Sequence, residues 1–98
     1  MVMRGSKQMK TPEEPELRPD SELQDLILRE LHIRVEHHHH WLVRSEMFNP
    51  PIATHNIWRI GLRLKKQGLL NSAPGDDANG WWMSISTEGV LYCEKKGL

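Results

Sequence analysis

The segment from residue 54 to residue 68 constrains the fold more than any other part of the chain. Its apolar residues return at the spacing of a helix and define one side: Ile57, Ile60, Gly61 and Leu64. Thr54 is a candidate N-cap, and Gly68 stands where helices often end in glycine. Because a helix with one apolar side is stable only when that side is buried, the sequence predicts a packed helix here.

A first helix is predicted to begin at Ser21, because Ser21 and Gln24 fit the capping-box pattern. Apolar residues then recur at helical spacing as far as about residue 31: Leu23, Leu26, Ile27 and Leu31. The chain therefore contains two amphipathic helices that can share a core.

Between these helices the sequence predicts another, from about Glu36 to Met47, with Trp41 and Leu42 directed inward. The Asn49-Pro50-Pro51 sequence ends it, because proline lacks an amide donor and disfavours helix in the residue before it. A short strand at residues 33–35 is a further candidate element.

The C-terminal third predicts a hairpin. Residues 71–80 are dense in turn formers, and the next six alternate between two faces, with Trp81, Met83 and Ile85 on one and Trp82, Ser84 and Ser86 on the other. A last short helix is predicted from about Thr87. We expect a mainly α fold with a small β-hairpin, of the α+β class. Its predicted core contains Ile27, Leu31, Ile57, Ile60, Leu64 and Ile85.

The size and the cysteine content restrict the class of protein. A chain of 98 residues supports one domain with one modest core. Cys93 is the only cysteine, so no intrachain disulfide can form. No apolar run has the length of a membrane helix, and the first residues do not resemble a signal peptide. The sequence therefore predicts a cytoplasmic protein without a membrane partner.

Residues 1–20 are predicted to form a disordered arm that precedes a domain at residues 21–98. The arm holds three prolines, four basic residues, four acidic residues and few apolar ones. Such a segment cannot bury enough surface to offset the entropy lost on ordering. An arm that orders on DNA or on a partner subunit is the alternative.

The charges are balanced overall and clustered locally. Lys+Arg and Asp+Glu both total 13, so any affinity for nucleic acid must come from clustering. Between residues 55 and 68 there are four basic residues and no acidic one. Cations that meet phosphates and polar groups that reach base edges are what a helix in the DNA major groove requires. The candidate DNA contacts are His55, Asn56, Arg59, Arg63 and Lys66; a merely solvated helix face is the alternative.

The order of helix, possible short strand, helix, helix, hairpin and short helix resembles the winged helix-turn-helix superfamily. Residues 57–70 are similar to its recognition helix and to the opening of its wing. Ile85-Ser86-Thr87-Glu88-Gly89 is similar to the exit from the wing in MarR-like and PadR-like regulators. The resemblance covers about residues 21–96. It implies three helices with a two- or three-stranded wing, and a DNA-binding regulator, often a homodimer, that reads double-stranded DNA with the helix at residues 54–67.

Three features depart from this family pattern. The wing tip carries Asp76 and Asp77 where basic residues are usual, which argues against phosphate contacts by the wing. Two prolines precede the helix at residue 54. Four histidines, His37 to His40, lie in the predicted second helix, where neighbours point 100 degrees apart and do not converge on one ion. We expect only adventitious metal binding there, with metal sensing and a pH switch as the alternatives.

Large apolar residues supply candidate contacts with partners. Most of the four tryptophans are expected in the core: Trp41, Trp58, Trp81 and Trp82. By alternation, however, Trp82 faces away from Trp81. Trp82 and Leu62 are therefore the candidate contacts of a dimer or partner interface. For Trp82, packing against the arm or the final helix is the alternative.

The pattern of residues includes no catalytic set and no glycine-rich phosphate loop, so we expect no enzyme, no cofactor and no small-molecule substrate. The leading hypothesis is a DNA-binding transcriptional regulator. The alternative is a winged-helix protein-interaction module, such as an accessory or anti-repressor protein. The acid-free basic helix favours the first, whereas the acidic wing, the zero net charge and Trp82 favour the second.

Overall fold

The computed structural model describes residues 15–34 and 40–98. Three α-helices and three strands follow one another: α1 (Asp20–Ile33), β1 (Trp41–Val43), a 3₁₀ turn (Ser45–Met47), α2 (Thr54–Lys66), β2 (Gly75–Asp77), β3 (Gly80–Met83) and α3 (Thr87–Lys96). The described chain is a small α+β domain, as the sequence predicted for the class. None of the helices in these two ranges has the length and apolar character that a bilayer crossing requires.

Helix α1 starts one residue earlier than predicted, at Asp20, with Pro19 as its N-cap. The Pro19 carbonyl accepts the backbone N–H groups of Glu22 and Leu23 at 3.0 and 3.1 Å. The predicted capping box at Ser21 does not form, because Gln24 is buried and its side chain contacts α2 instead. Tertiary contact therefore decides how this helix begins.

The residues just before α1 form hydrogen bonds with Pro50 and Pro51, in the turn that leads into α2. The Arg18 guanidinium donates to the carbonyls of Pro50 and Pro51 at 2.9 and 3.0 Å, and it pairs with Glu16 at 2.6 Å. These residues belong to the C-terminal end of the predicted arm. Residues 1–14 of that arm lie outside the described residues.

The helix predicted from Glu36 to Met47 is wrong in the part that the structure describes. Residues 41–43 form strand β1, and residues 45–47 form a single 3₁₀ turn. The strand predicted at residues 33–35 is also misplaced, since Ile33 ends α1; residues 35–39 lie outside the described residues. Trp41-Leu42-Val43 is a run of aromatic and branched side chains, and its pairing with β3 overrides its weak helical pattern.

The antiparallel sheet has the strand order β1-β3-β2. Val43 and Met83 are buried on its inner face, which packs against the helices. Trp82 lies on the outer face, opposite Leu42 in the register, and 38% of its surface is exposed. The predicted alternation is therefore confirmed at residues 81–83, whereas β3 ends at Met83 and the next two residues predicted on the outer face, Ser84 and Ser86, are buried.

The apolar side of α2 lies at the centre of the core. Five of the six predicted core residues are buried: Ile27, Leu31, Ile57, Ile60 and Leu64. The sixth, Ile85, is partly buried and packs against this cluster. The core also includes Phe48 and Ile52, from the segment before α2, and Met83, from β3. The core therefore connects α1 and α2 with this segment and with the sheet.

Gly68 follows the end of α2 as predicted, whereas Thr54 is the first residue of the helix and not its N-cap. The N-cap is Ala53, whose carbonyl accepts the N–H groups of Asn56 and Ile57 at 2.9 and 3.1 Å. Gly68 has a φ of +83°, a left-handed conformation that favours glycine. Its carbonyl accepts the Ser86 hydroxyl at 2.7 Å, and the same hydroxyl caps α3.

Gly61 allows α2 to approach the hairpin closely. A Cβ atom at this position would lie 2.5 Å from Pro74 Cγ and 2.7 Å from Met83 Cε, closer than real Cβ contacts come. Alanine would favour the helix itself by about 1 kcal/mol. A glycine therefore persists in the middle of this helix because of packing.

We predict that Gly61→Ala lowers the free energy of unfolding by about 1–2 kcal/mol, because the overpacking penalty exceeds the gain in helix propensity. Urea unfolding followed by circular dichroism measures it. Lys65→Ala, on the exposed side of the same helix, is the control and should change stability by less than about 0.5 kcal/mol. A Gly61→Ala variant more stable than the parent would contradict this account of the α2–hairpin contact.

Candidate nucleic-acid interface

The outward side of α2 combines apolar and basic side chains. We call this surface the α2 face; its residues are His55, Trp58, Leu62, Lys65 and Lys66, all exposed. At 100 degrees per residue, His55 and Leu62 lie nearly opposite the buried side of the helix, and Trp58 lies beside them. The centre of the α2 face is therefore largely apolar, and its cations lie toward the C-terminal end.

Trp58 packs against Trp81 of strand β3, and 42% of its surface is exposed. Its ring centroid is 6.1 Å from that of Trp81, whose Nε1 donates to the Thr54 carbonyl at 3.1 Å. Trp41 and Trp81 are only partly buried. The expectation that most of the tryptophans lie in the core is wrong, because the positions of Trp58 and Trp82 fall on outward faces of their elements.

Arg59 joins α2 to the start of α1. Its Nη1 and Nη2 atoms donate to the two carboxylate oxygens of Asp20 at 3.0 and 3.1 Å. Its Nε and Nη2 atoms also donate to Asn56 Oδ1 at 3.2 and 3.1 Å. Four hydrogen bonds thus fix the guanidinium plane between one helix and the other.

Arg63 makes the neighbouring contact between the same two helices. Its Nε donates to Gln24 Oε1 at 3.2 Å, and its Nη1 lies 3.8 Å from Asp20 Oδ2. Gln67 Nε2 donates to the same Gln24 oxygen at 3.3 Å. We call the set of Asp20, Gln24, Asn56, Arg59 and Arg63 the Asp20 bridge.

The five predicted DNA contacts fall into two groups. His55 and Lys66 are exposed on the α2 face. Asn56, Arg59 and Arg63 belong to the Asp20 bridge, and Asn56 is buried with its side-chain oxygen accepting from Arg59. Sequence reasoning missed Asp20 as their partner, because no local pattern links residues 39 positions apart.

The Asp20 carboxyl is held in its ionised form. Hydrogen bonds from Arg59, together with the positive charges of Arg59 and Arg63, keep the pKa of Asp20 below its usual range, although slight burial opposes them. The side chains of Asp20, Arg59 and Arg63 are 37%, 42% and 51% exposed. The bridge is therefore solvated, and it stabilises the fold only modestly.

Lys65 and Lys66 differ from the two arginines. Both are exposed in the last turn of α2, and neither pairs with an acidic residue of the described chain. Cations near a helix C-terminus also complement the helix dipole. Their ammonium groups are available to a phosphate or a carboxylate of a partner.

The hairpin turn is acidic and lies next to Trp82. The backbone N–H of Asn79 and the indole N–H of Trp82 both donate to the Asp77 carboxylate, at 2.9 and 3.0 Å, and they lower its pKa. Trp82 lies on the outer face of the sheet, whereas Leu62 lies on the α2 face. The two predicted interface residues therefore belong to separate surfaces.

The groups with metal-binding or nucleophilic chemistry do not form a site within residues 15–34 and 40–98. His40 is exposed, and His37 to His39 lie outside the described residues. In these two ranges no group of three or more His, Cys, Asp or Glu side chains is arranged to hold a metal ion. Cys93 is buried, and burial raises the pKa of its thiol to about 11.

Comparison with protein-family models, with curated proteins and with solved structures found no match.

We predict that the stabilising effect of Asp20 depends on pH. A carboxyl whose pKa is lowered in the folded state contributes stability above its unfolded pKa of about 4 and loses it as the pH falls through the folded pKa. The melting temperature of Asp20→Asn should therefore lie below that of the parent at neutral pH, and the gap should close in acid. Thermal melts over a pH series measure this, and a gap of constant size would contradict it.

Proposed function

We propose that this protein is a winged-helix domain that binds double-stranded DNA through α2. The observation that carries the proposal is that every charged residue of α2 is basic and reaches the surface, while the opposite side of the helix is buried in the core. A recognition helix needs this combination of a rigid packed side and a cationic outer side.

The arrangement of the elements supports the same proposal. A strand that follows the first helix pairs with the second strand of the hairpin, and the hairpin follows α2 directly. In a winged helix this order presents the third helical element and the hairpin together. The middle element is here only the 3₁₀ turn at residues 45–47.

The proposal implies two kinds of contact with DNA. His55, Trp58 and Leu62 lie along the centre of the α2 face, where base edges and thymine methyl groups would meet them. Lys65 and Lys66 supply phosphate contacts near the end of the helix. Asp76 and Asp77 repel phosphates, so the hairpin would stay away from the DNA backbone.

We expect Lys66→Ala to weaken binding to all duplex sequences alike and to lower the slope of log K against log salt concentration by about one. Fluorescence anisotropy with duplexes enriched from a random pool, over a salt series, measures both effects. Lys95→Ala is the matched control, because it removes the same charge from an exposed position on α3. Equal affinities for the parent and both variants would count against α2 as the binding element.

A second candidate function is docking of a protein, favoured by one observation. Trp58 and Leu62 stand one helical turn apart and are both exposed, which is the spacing of anchors for an amphipathic partner helix. Because Lys65 and Lys66 flank these anchors, the partner of complementary charge is a helix with acidic residues beside its apolar side.

The docking candidate predicts that a random duplex pool yields no enriched sequence. It also predicts that selection from displayed helical peptides yields acidic amphipathic sequences. Their binding should be lost in a Trp58→Ala, Leu62→Ser variant and kept in Lys95→Ala, as measured by titration calorimetry. Enrichment of a duplex sequence whose binding needs Lys66 would instead favour DNA.

A further inference from the structure

The Asp20 carboxylate presents two oxygens to the arginines of α2 in the way that a phosphate would. Arg59 meets both oxygens in a forked pair at 3.0 and 3.1 Å, and Arg63 approaches one of them at 3.8 Å. Guanidinium groups pair with carboxylates and phosphates in the same forked geometry. The place that Asp20 occupies is therefore a site for an oxyanion with two adjacent oxygens.

The protein orients this site independently of Asp20. Asn56 Oδ1, itself buried, accepts two hydrogen bonds from Arg59, and Gln24 Oε1 accepts from Arg63. Both arginines would therefore keep one partner after the carboxylate had moved away. Such support fixes the direction of each guanidinium and lowers the entropy lost when a ligand binds.

We propose that Arg59 and Arg63 form the site for one backbone phosphate of the bound nucleic acid, and that the side chain of Asp20 occupies this site in the free protein. The inference rests on the proposed function. It names the ligand of these two arginines as a phosphodiester rather than a base. It also makes Asp20 an internal competitor that sets the affinity.

Displacement of Asp20 is feasible because the pair is exposed. The side chain of Asp20 is 37% exposed, and exposed ion pairs contribute little to stability. Helix α1 does not need this side chain, since Leu23, Ile27 and Leu28 are fully buried in the core. The carboxylate can rotate into water while the helix stays in place.

The test compares two carboxylates of α1. Asp20→Asn should bind a fluorescein-labelled random-sequence duplex about two- to fivefold more tightly than the parent, the range expected for loss of an exposed ion pair. Its salt slope should be steeper by up to about one, since one more phosphate is neutralised. Asp25→Asn is the control, because Asp25 lies on the same helix but pairs with Lys96 and Tyr92. It should bind like the parent.

A double-mutant cycle tests whether Asp20 and Arg63 act on the same phosphate. Arg63→Ala should weaken binding more in the Asp20→Asn background than in the parent, because the parent's arginines are already engaged. Thermal melts identify the temperature at which all variants are folded. If Asp20→Asn binds as the parent does, or more weakly, Asp20 is not a competitor and this inference is overturned while DNA binding stands. If neither the parent nor Asp20→Asn binds duplex DNA, the proposed function fails first.

Discussion

The packing of α2 between α1 and the sheet is the constraint on which the rest of the structure depends. Ile57, Ile60 and Leu64 have no exposed surface, and no disulfide can supplement this core. Burial of three such side chains contributes on the order of 5–9 kcal/mol, which is comparable to the whole stability of a small domain. The rotation of α2 about its axis is therefore fixed, and with it the direction of every other side chain on the helix.

The rotation of α2 determines which of its polar side chains face α1 and which face outward. The flank that meets α1 carries Arg59 and Arg63, so these side chains find Asp20 and Gln24 within the protein. The outermost positions carry His55 and Leu62, which are exposed in the part of the chain that the structure describes. The four basic residues of α2 are thus separated into two groups: Arg59 and Arg63 are bridged to α1, whereas Lys65 and Lys66 have no acidic partner among the described residues.

The same separation bears on function. In the proposed function the solvated bridge exchanges its carboxylate for a phosphate, whereas Lys65 and Lys66, which have no acidic partner among the described residues, need no exchange. The acidic hairpin restricts where an anionic partner can lie. Under the proposed function, the DNA would therefore approach along α2 and leave the acidic hairpin in water.

The sequence by itself determined the elements whose pattern is local and strong. The apolar spacing of α2, the glycine at residue 68 and the alternation along β3 predicted buried and exposed sides correctly, because each depends on the period of one helix or strand. Only the tertiary structure decided that residues 41–43 pair with β3 as a strand and that Asp20 bridges to Arg59. Both depend on contacts between residues about 40 positions apart, whose free energy no local pattern contains.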